Sequence, residues 1–538
     1  MTAGYGEFNF NSIMMGNTKR QLCGVSRLVL PFLCGVVSAY YVPVECGVVW
    51  LVLLALVSAV LSFVLWRHRV VSGLSLYLAA FLMGSARMSA ELHEEAVIPF
   101  SEDTGYTAVT LDDAAMKGKT LRVDAVVVEV DGAAIKPFKI KLTVLPTDSM
   151  EIKCGMAVHC RGTLLRPENY PGSTFNYERY MQVHGFMAQS FVYGGRVSSA
   201  SVSRRQLPLW ARLGIGMSAV RGRLASVFRE SGMEDDNLAV VYAMALGDKS
   251  LLHRDLRDAY SVAGTSHVLA LSGLHLGIIY SLLLLLLWRG NRLWWWRFVV
   301  QLLVLAAVWT YVMLVGMPVS AVRSALMISV GALVIVSGRV GQSFVSLSVA
   351  ALVVVIASPM SVFDLGFQMS FIAVASILIA AEPLYQSLAP AWMKHSAAGR
   401  WMGRMLSVSV VAQAGVAPLT AYCFGRFSCY FLLANVIAVP LATLLLYLAL
   451  GVALGSGLPV VGQVLVYCLD SVSQLLNDGV SVLSALPGAS VENIRMSALQ
   501  TVLVYALMVV VYVLVRFVSR RRVRASAKYS YPDVEEGE

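Results

Sequence analysis

The chain has 538 residues, of which 57% are hydrophobic and only 14% charged, with a mean hydropathy of +0.70. Soluble domains usually carry about a quarter charged residues, so composition argues against a soluble enzyme of this length and for a polytopic membrane protein. The 42 Lys and Arg against 32 Asp and Glu leave +10. That charge would attract a polyanion, but cytoplasmic loops of membrane proteins collect basic residues anyway, so it decides little.

In chain order, apolar runs at about 26–42, 47–66 and 71–87 are long enough to cross a hydrocarbon core of about 30 Å. The first is short and holds Pro31 and Gly35, yet no small-residue cleavage site follows it, so it reads as a retained span. From 88 to 206 the character changes. Alternating segments at Thr120–Val130 and Lys136–Leu145 flank an Asp131-Gly132 turn, and further runs occupy 156–165 and 186–193. These read as a small β-barrel or sandwich. Between 117 and 205 there are 13 Lys and Arg against 7 Asp and Glu. The eight cysteines form no CxxC pair, so no zinc ribbon or thioredoxin-type site is indicated. Cys154 and Cys160 would lie about 20 Å apart on one extended strand, so a disulfide between them needs a turn, for which Gly155 is placed.

Residues 208–229 put Trp210, Leu213, Met217, Val220 and Leu224 on one helical face, opposite Arg212, Arg221 and Arg223. This predicts an amphipathic helix lying on the bilayer. Nine more apolar segments follow, at about 268–288, 293–315, 318–337, 342–358, 365–382, 405–424, 430–455, 462–487 and 496–517. The expectation is therefore an α-helical membrane protein of about twelve transmembrane helices with a β-rich insert. Basic residues at Lys19, Arg20, Arg67, Arg69, Arg289, Arg292, Arg339, Lys394, Arg400, Arg404, Arg520–Arg522 and Arg524 fall on one side if the spans alternate, and the opposite short loops hold little beyond Arg426 and Arg495. The positive-inside rule then places both termini in the cytoplasm and the insert outside.

Gly118-Lys119-Thr120 ends like a phosphate-binding loop, but Asp113 stands where the first glycine belongs and a strand follows. Gly247-Asp248-Lys249-Ser250 also fails that spacing. The densest polar cluster, Ala245–Leu276, carries Asp248, Lys249, Asp255, His267, Ser272 and His275. Ser272 lacks the GxSxG setting of a hydrolase elbow. His267 and His275, about 12 Å apart along a helix, do not share one ion, and no metal or cofactor is expected. Helix packing, a permeation path and catalysis all remain open for this cluster. Arg323 lies inside a span, where an ionisable group costs about 2.5–3.5 kcal/mol on insertion scales, so it needs a partner or water. Asp364 and Gln368 begin another span and Gln413 sits inside a third. Asp470, Gln474, Asn477, Ser481 and Ser484 recur every three or four residues, either a hydrogen-bonded seam or the wall of a wet lumen. In the insert, Arg166, Arg179 and His184 interleave with Tyr170, Phe175, Tyr177 and Tyr180. Cations and aromatic faces in that pattern suit single-stranded nucleic acid, although such rings also fill small barrels.

The run GTSHVLALSGLHLGII (264–279) resembles the hallmark of the ComEC/Rec2 competence family of DNA-uptake channels. GMPVSAVRSALM (316–327), FDLGFQMSF (363–371), QAGVAPLTAYCFGRFS (413–428) and LLANVIAVPL (432–441) resemble further family segments in order. PGSTFNYERYMQVHG (171–185) resembles part of the family's extracytoplasmic OB-like domain. The resemblance implies an inner-membrane channel that passes one strand of DNA inward during natural transformation. It implies a cytoplasmic tail at 1–25, three transmembrane helices at 26–87, and an OB-like barrel at 88–206. An interfacial helix at 207–235, a channel domain at 236–517 and a cytoplasmic tail at 518–538 complete the organisation. By the same resemblance Gly264–Leu276, Arg323, Phe363–Gln368 (with Asp364 and Gln368), Gln413 and Asn435 belong to the channel core. The partners would be single-stranded DNA, the lipid bilayer, a separate DNA receptor and a separate cytoplasmic ATPase motor, with a homo-oligomer left open. Many relatives continue into a metallo-β-lactamase-like domain. The residues after 517 hold no HxHxDH motif, so no hydrolase activity is expected of this chain. The alternative from another class is a transporter or flippase for a smaller anion.

Overall fold

The computed structural model describes residues 25–42, 47–95, 100–146, 152–169, 176–287, 294–336, 343–455 and 459–529. Three helices open it: α1 (Val25–Tyr41), α2 (Val48–Val64) and α3 (Arg69–Glu95). Glycines let α1 and α3 touch backbone to backbone. A Cβ on Gly35 would stand 2.0 Å from the Phe81 carbonyl oxygen, and one on Gly84 2.1 Å from that of Phe32. Hydroxyls join α2 to α3, with Ser58 donating to the Ser75 carbonyl (2.7 Å) and Ser62 to that of Ser72 (2.8 Å). Small residues and interhelical hydroxyls are what hold helices together where lipid removes the hydrophobic drive.

The insert is a seven-stranded mixed sheet. Its strands are β1 (Ser101–Thr110), β2 (Ala115–Lys117), β3 (Thr120–Val130), β4 (Ala133–Leu145), β5 (Ala157–Leu164), β6 (Phe186–Tyr193) and β7 (Val197–Ser199). A short helix, α4 (Tyr177–Val183), precedes β6. The order is β6-β4-β3-β1-β5-β7 with β2 on β3, and only the β4–β6 pair is parallel. Asp131 and Gly132, both at positive φ, make the tight β3–β4 hairpin expected from their sequence. Beyond the end of β5, Leu165 and Gln189 exchange two backbone hydrogen bonds (3.0 and 2.9 Å). Gly162 fits there because a Cβ would come within 2.7 Å of the Phe191 carbonyl.

Alternation in β3 fails at Val126, Val127 and Val128, all buried. Val127 joins the interior with Tyr106, Ile140, Leu142 and Cys160, whereas Val126 and Val128 are covered from outside by Leu207 and Ala211. The cover is α5 (Leu209–Arg229) with the residues leading into it, so this helix does not simply lie on a bilayer. One side grips the sheet, with Ser218 donating to Cys154 Sγ (3.1 Å) and Arg221 paired with Asp112 (3.0 Å). Leu209, Trp210, Leu213 and Val220 on the other side are exposed. Gly155 does turn the chain, but Cys154 donates to the Leu111 carbonyl and Cys160 is buried beside Tyr106; both thiols are free.

The remaining described residues are mostly helical: α6 (Asp235–Val241), continuing as a π-turn over Tyr242–Leu246, then α7 (Arg254–Val262) and α8 (Ser266–Leu269). Next come α9 (Gly273–Leu287), α10 (Trp294–Leu314), α11 (Val319–Val336), α12 (Ser343–Ala357) and α13 (Leu365–Ser376). A second π-turn leads from α13 into α14 (Glu382–Leu388), followed by α15 (Ala391–His395) and α16 (Ala397–Phe424). The last helices are α17 (Phe431–Gly455), α18 (Pro459–Ala485) and α19 (Ala498–Tyr529), with a two-stranded clip between β8 (Phe427–Ser428) and β9 (Ser490–Val491). Among the described residues, six helical stretches are long and apolar enough to cross a membrane: Arg69–His93, Trp295–Leu314, Leu365–Leu388, Ala397–Phe424, Phe431–Gly455 and Ala498–Val515. Five shorter apolar helices accompany them.

Candidate functional site

Arg323 enters the structure in the second turn of α11 and is only 3% exposed. Its guanidinium meets Asp364 at 2.5 Å. Asp364 is also the N-cap of α13, accepting the backbone N–H groups of Gly366 (3.2 Å) and Phe367 (3.0 Å). One carboxylate thus satisfies two orphan donors of a helix end and a buried cation together. Gln368 donates to the Val362 carbonyl (2.9 Å), closing the same turn. Arg323 therefore has a protein partner, and Arg323, Asp364 and Gln368 form one cluster.

Ser272 and His275 meet at the start of α9. His275 Nδ1 accepts the Ser272 N–H (3.1 Å) and lies 3.0 Å from Ser272 Oγ. Acceptance of a backbone N–H places the ring proton on Nε2, so His275 acts as a cap. Nε2 is buried without a partner, as are Asn435 Oδ1 and Ser428 Oγ. His267 on α8 is exposed, and no group of three metal-ligating side chains gathers among the described residues. Asp248 caps its own turn through the Ser250 N–H (2.9 Å), while Lys249 and Asp255 are exposed. Gln413 is half-buried on α16.

The polar stripe of α18 is knitted to a residue that sequence reasoning missed. The Asn237 amide donates to Asp470 (2.9 Å) and Gln474 (3.0 Å). Its oxygen accepts from Asn477 (2.9 Å), whose own oxygen accepts from Tyr260 (2.9 Å). Three helices share this network, and the signal for Asn237 was slight: one amide between acidic residues and an apolar run. Buried amides satisfied in this way fix helix register.

In the insert, Arg166 stacks on Phe100 (4.8 Å to the ring centre). Arg179 turns towards the helices, within 5.2 Å of Tyr40, 5.6 Å of Tyr41 and 5.2 Å of Phe363. Val183, one turn on, packs into the same apolar cluster as Phe32, Val36 and Phe367. On another face of α4, Tyr177 and Tyr180 stack at 6.4 Å, and Tyr180 and His184 meet at a tilt at 4.2 Å. Tyr180 is exposed. Tyr170 and Phe175 lie outside the described residues. Inside the sheet, burial pushes the Cys160 thiol up to about 12 and raises Tyr106 well above its ordinary value.

No solved structure matches this chain. ComE operon protein 3 of Bacillus subtilis (strain 168) is 29% identical over 300 residues, covering 54% of this chain and 35% of that protein. The aligned part is thus about a third of the length of that curated relative. The family described as competence protein matches residues 244–518, which contain α9 to α18 with the Arg323–Asp364 pair, the Ser272–His275 cap and the α18 stripe. The chain belongs to the competence protein family.

Proposed function

We propose that this protein is a multi-pass channel of the bacterial cytoplasmic membrane that admits a single strand of DNA during natural transformation. The observation that carries the reading is the competence family's match to the helical half, beside a β-rich insert bearing a row of three rings in contact. On this reading the six long apolar helices, the five shorter ones and the polar-striped α18 are twelve spans, and both termini are cytoplasmic. In support, the last turn of α1 meets the insert through Tyr40 and Tyr41, and Arg87 near the end of α3 donates to Ile356 near the end of α12. Those ends then share the outer side with the insert.

The strand order β1-β3-β4-β6-β5, joined by the Leu165–Gln189 bonds, supports reading the insert as an OB-like barrel. Tyr177, Tyr180 and His184 offer stacking faces for bases, and Arg166 is a further cation of the insert. A phosphodiester strand cannot cross hydrocarbon, so the helices must give it a hydrated way through. A separate DNA receptor and a cytoplasmic ATPase would deliver and draw the strand.

Deleting the gene in its host and following labelled DNA tests the reading. DNA held outside the cytoplasmic membrane supports the channel; unchanged import overturns it. In the full chain reconstituted in nanodiscs, Tyr180→Ala should weaken oligothymidine retention by about 1–3 kcal/mol without changing the salt slope.

A further inference from the structure

We infer that α5 and α6 form a re-entrant hairpin whose charged turn, residues 229–236, stands in water midway through the bundle and sets the charge of a solvent-filled vestibule. The inference rests on the membrane-spanning reading but not on DNA as the cargo.

Depth can be read against α17, whose 25 residues are apolar apart from Asn435 and Thr443. A Cβ on Gly451 would touch Leu465, and one on Gly479 would touch Ile437. These two contacts fix the antiparallel register of α17 and α18, setting Asp470 level with Leu446 and Asn477 level with Val439. Both levels fall in the central third of α17. Asn237 bonds to Asp470, Gln474 and Asn477, so the start of α6 lies at mid-depth.

Both arms of the hairpin lead back to the outer side. Gly247, just past the π-turn, adjoins Val315 at the end of α10, and Tyr311 donates to the Ala245 carbonyl (3.0 Å). Ten helical residues from Asn237 to Gly247 cover about 15 Å, half of a hydrocarbon core. In the other arm, Ser218 and Arg221 hold the insert, while Tyr242 donates to the Ala225 carbonyl and ties the two arms together.

The turn joining them contains Arg229, Glu230, Glu234, Asp235 and Asp236, one cation against four carboxylates, and all five are exposed. Ionised groups at that depth are too costly to leave in lipid. They therefore face water, in a vestibule with a net negative wall. Such a wall disfavours lingering contact with an anion and favours small cations.

The test uses the full chain in sealed liposomes with Glu234→Cys, or Ser231→Cys should the first fail to enter the membrane. Membrane-impermeant cationic and anionic thiosulfonates are applied from each side, with labelling counted above that of the unsubstituted protein. Labelling from at least one side is expected, with the cationic reagent about tenfold faster. Glu230→Gln with Asp235→Asn and Asp236→Asn should remove most of that preference. Leu503→Cys on the exposed face of α19 should stay unlabelled. Protection of position 234 from both sides until detergent is added overturns the vestibule. Equal rates for the two reagents overturn its charge. Neither result bears on whether DNA is imported.

Discussion

Asp364→Asn removes one charge from the Arg323 pair while keeping a side chain that caps helices as well as Asp does. Arg323 is 3% exposed and Asp364 16%, so solvent screens the pair little. Removing one member of a buried pair costs about 3–5 kcal/mol, because the survivor is left uncompensated. Here the survivor would be Arg323, whose Nε is already without a partner. Arg323→Met should cost less, about 2 kcal/mol, since Asp364 keeps two backbone donors and more solvent. The double variant Arg323→Met with Asp364→Asn should recover to within about 1 kcal/mol of the parent. Denaturation of the detergent-solubilised full chain, followed by tryptophan fluorescence, measures all three. If Asp364→Asn shifts stability by less than about 0.5 kcal/mol, or the two single effects simply add, the pair is not the strut described.

Asn237→Leu leaves Asp470, Gln474 and Asn477 short of a shared partner and should cost about 2–3 kcal/mol in the same assay. Asp470→Leu, which removes one acceptor only, should cost less. Cys160 is protonated in the folded insert up to about 12 but titrates near 9 once exposed. Its contribution is therefore complete below pH 9 and falls as pH rises towards 12. By pH 10 the loss is about 1 kcal/mol, and thermal melts of Cys160→Ala should lack that part of the slope. Gly35→Val drives a side chain into the Phe81 carbonyl, so α1 and α3 must separate; lower yield of folded protein in the membrane fraction checks it. Gly162→Val should likewise open the β5–β6 approach, read as faster amide exchange at Leu165 and Gln189.

Periodicity exposed what depends on near neighbours. The alternating stretches became β3, β4, β5 and β6, and the Asp131-Gly132 turn was legible because two consecutive positive φ angles call for such residues. Strand β1 was not legible: Ser-Glu-Asp-Thr-Gly opens it with polar residues, and pairing on both sides holds it. The 208–229 stripe gave the helix but not its place, because Ala211 and Ile215 grip the sheet with little apolar signal. The α18 stripe was visible, whereas its partner Asn237 lies more than 230 residues away in sequence. Arg179 read as an open cation because nothing local shows that Tyr40, Tyr41 and Phe363 converge on it. The exposed carboxylates of 230–236 look like an ordinary surface loop until their depth is known.

The Arg179 contact has a mechanical corollary. Helix α4 is bolted to the last turn of α1 and to Phe363, the residue before the cap that holds Arg323. The insert is anchored a second time through α5, by Arg221 and Ser218. A body fastened at two such points transmits tension rather than swinging on a tether. A pull on the aromatic row would arrive as torque on α13 and the α5 arm, so movement of the insert and rearrangement of the helices share one lever.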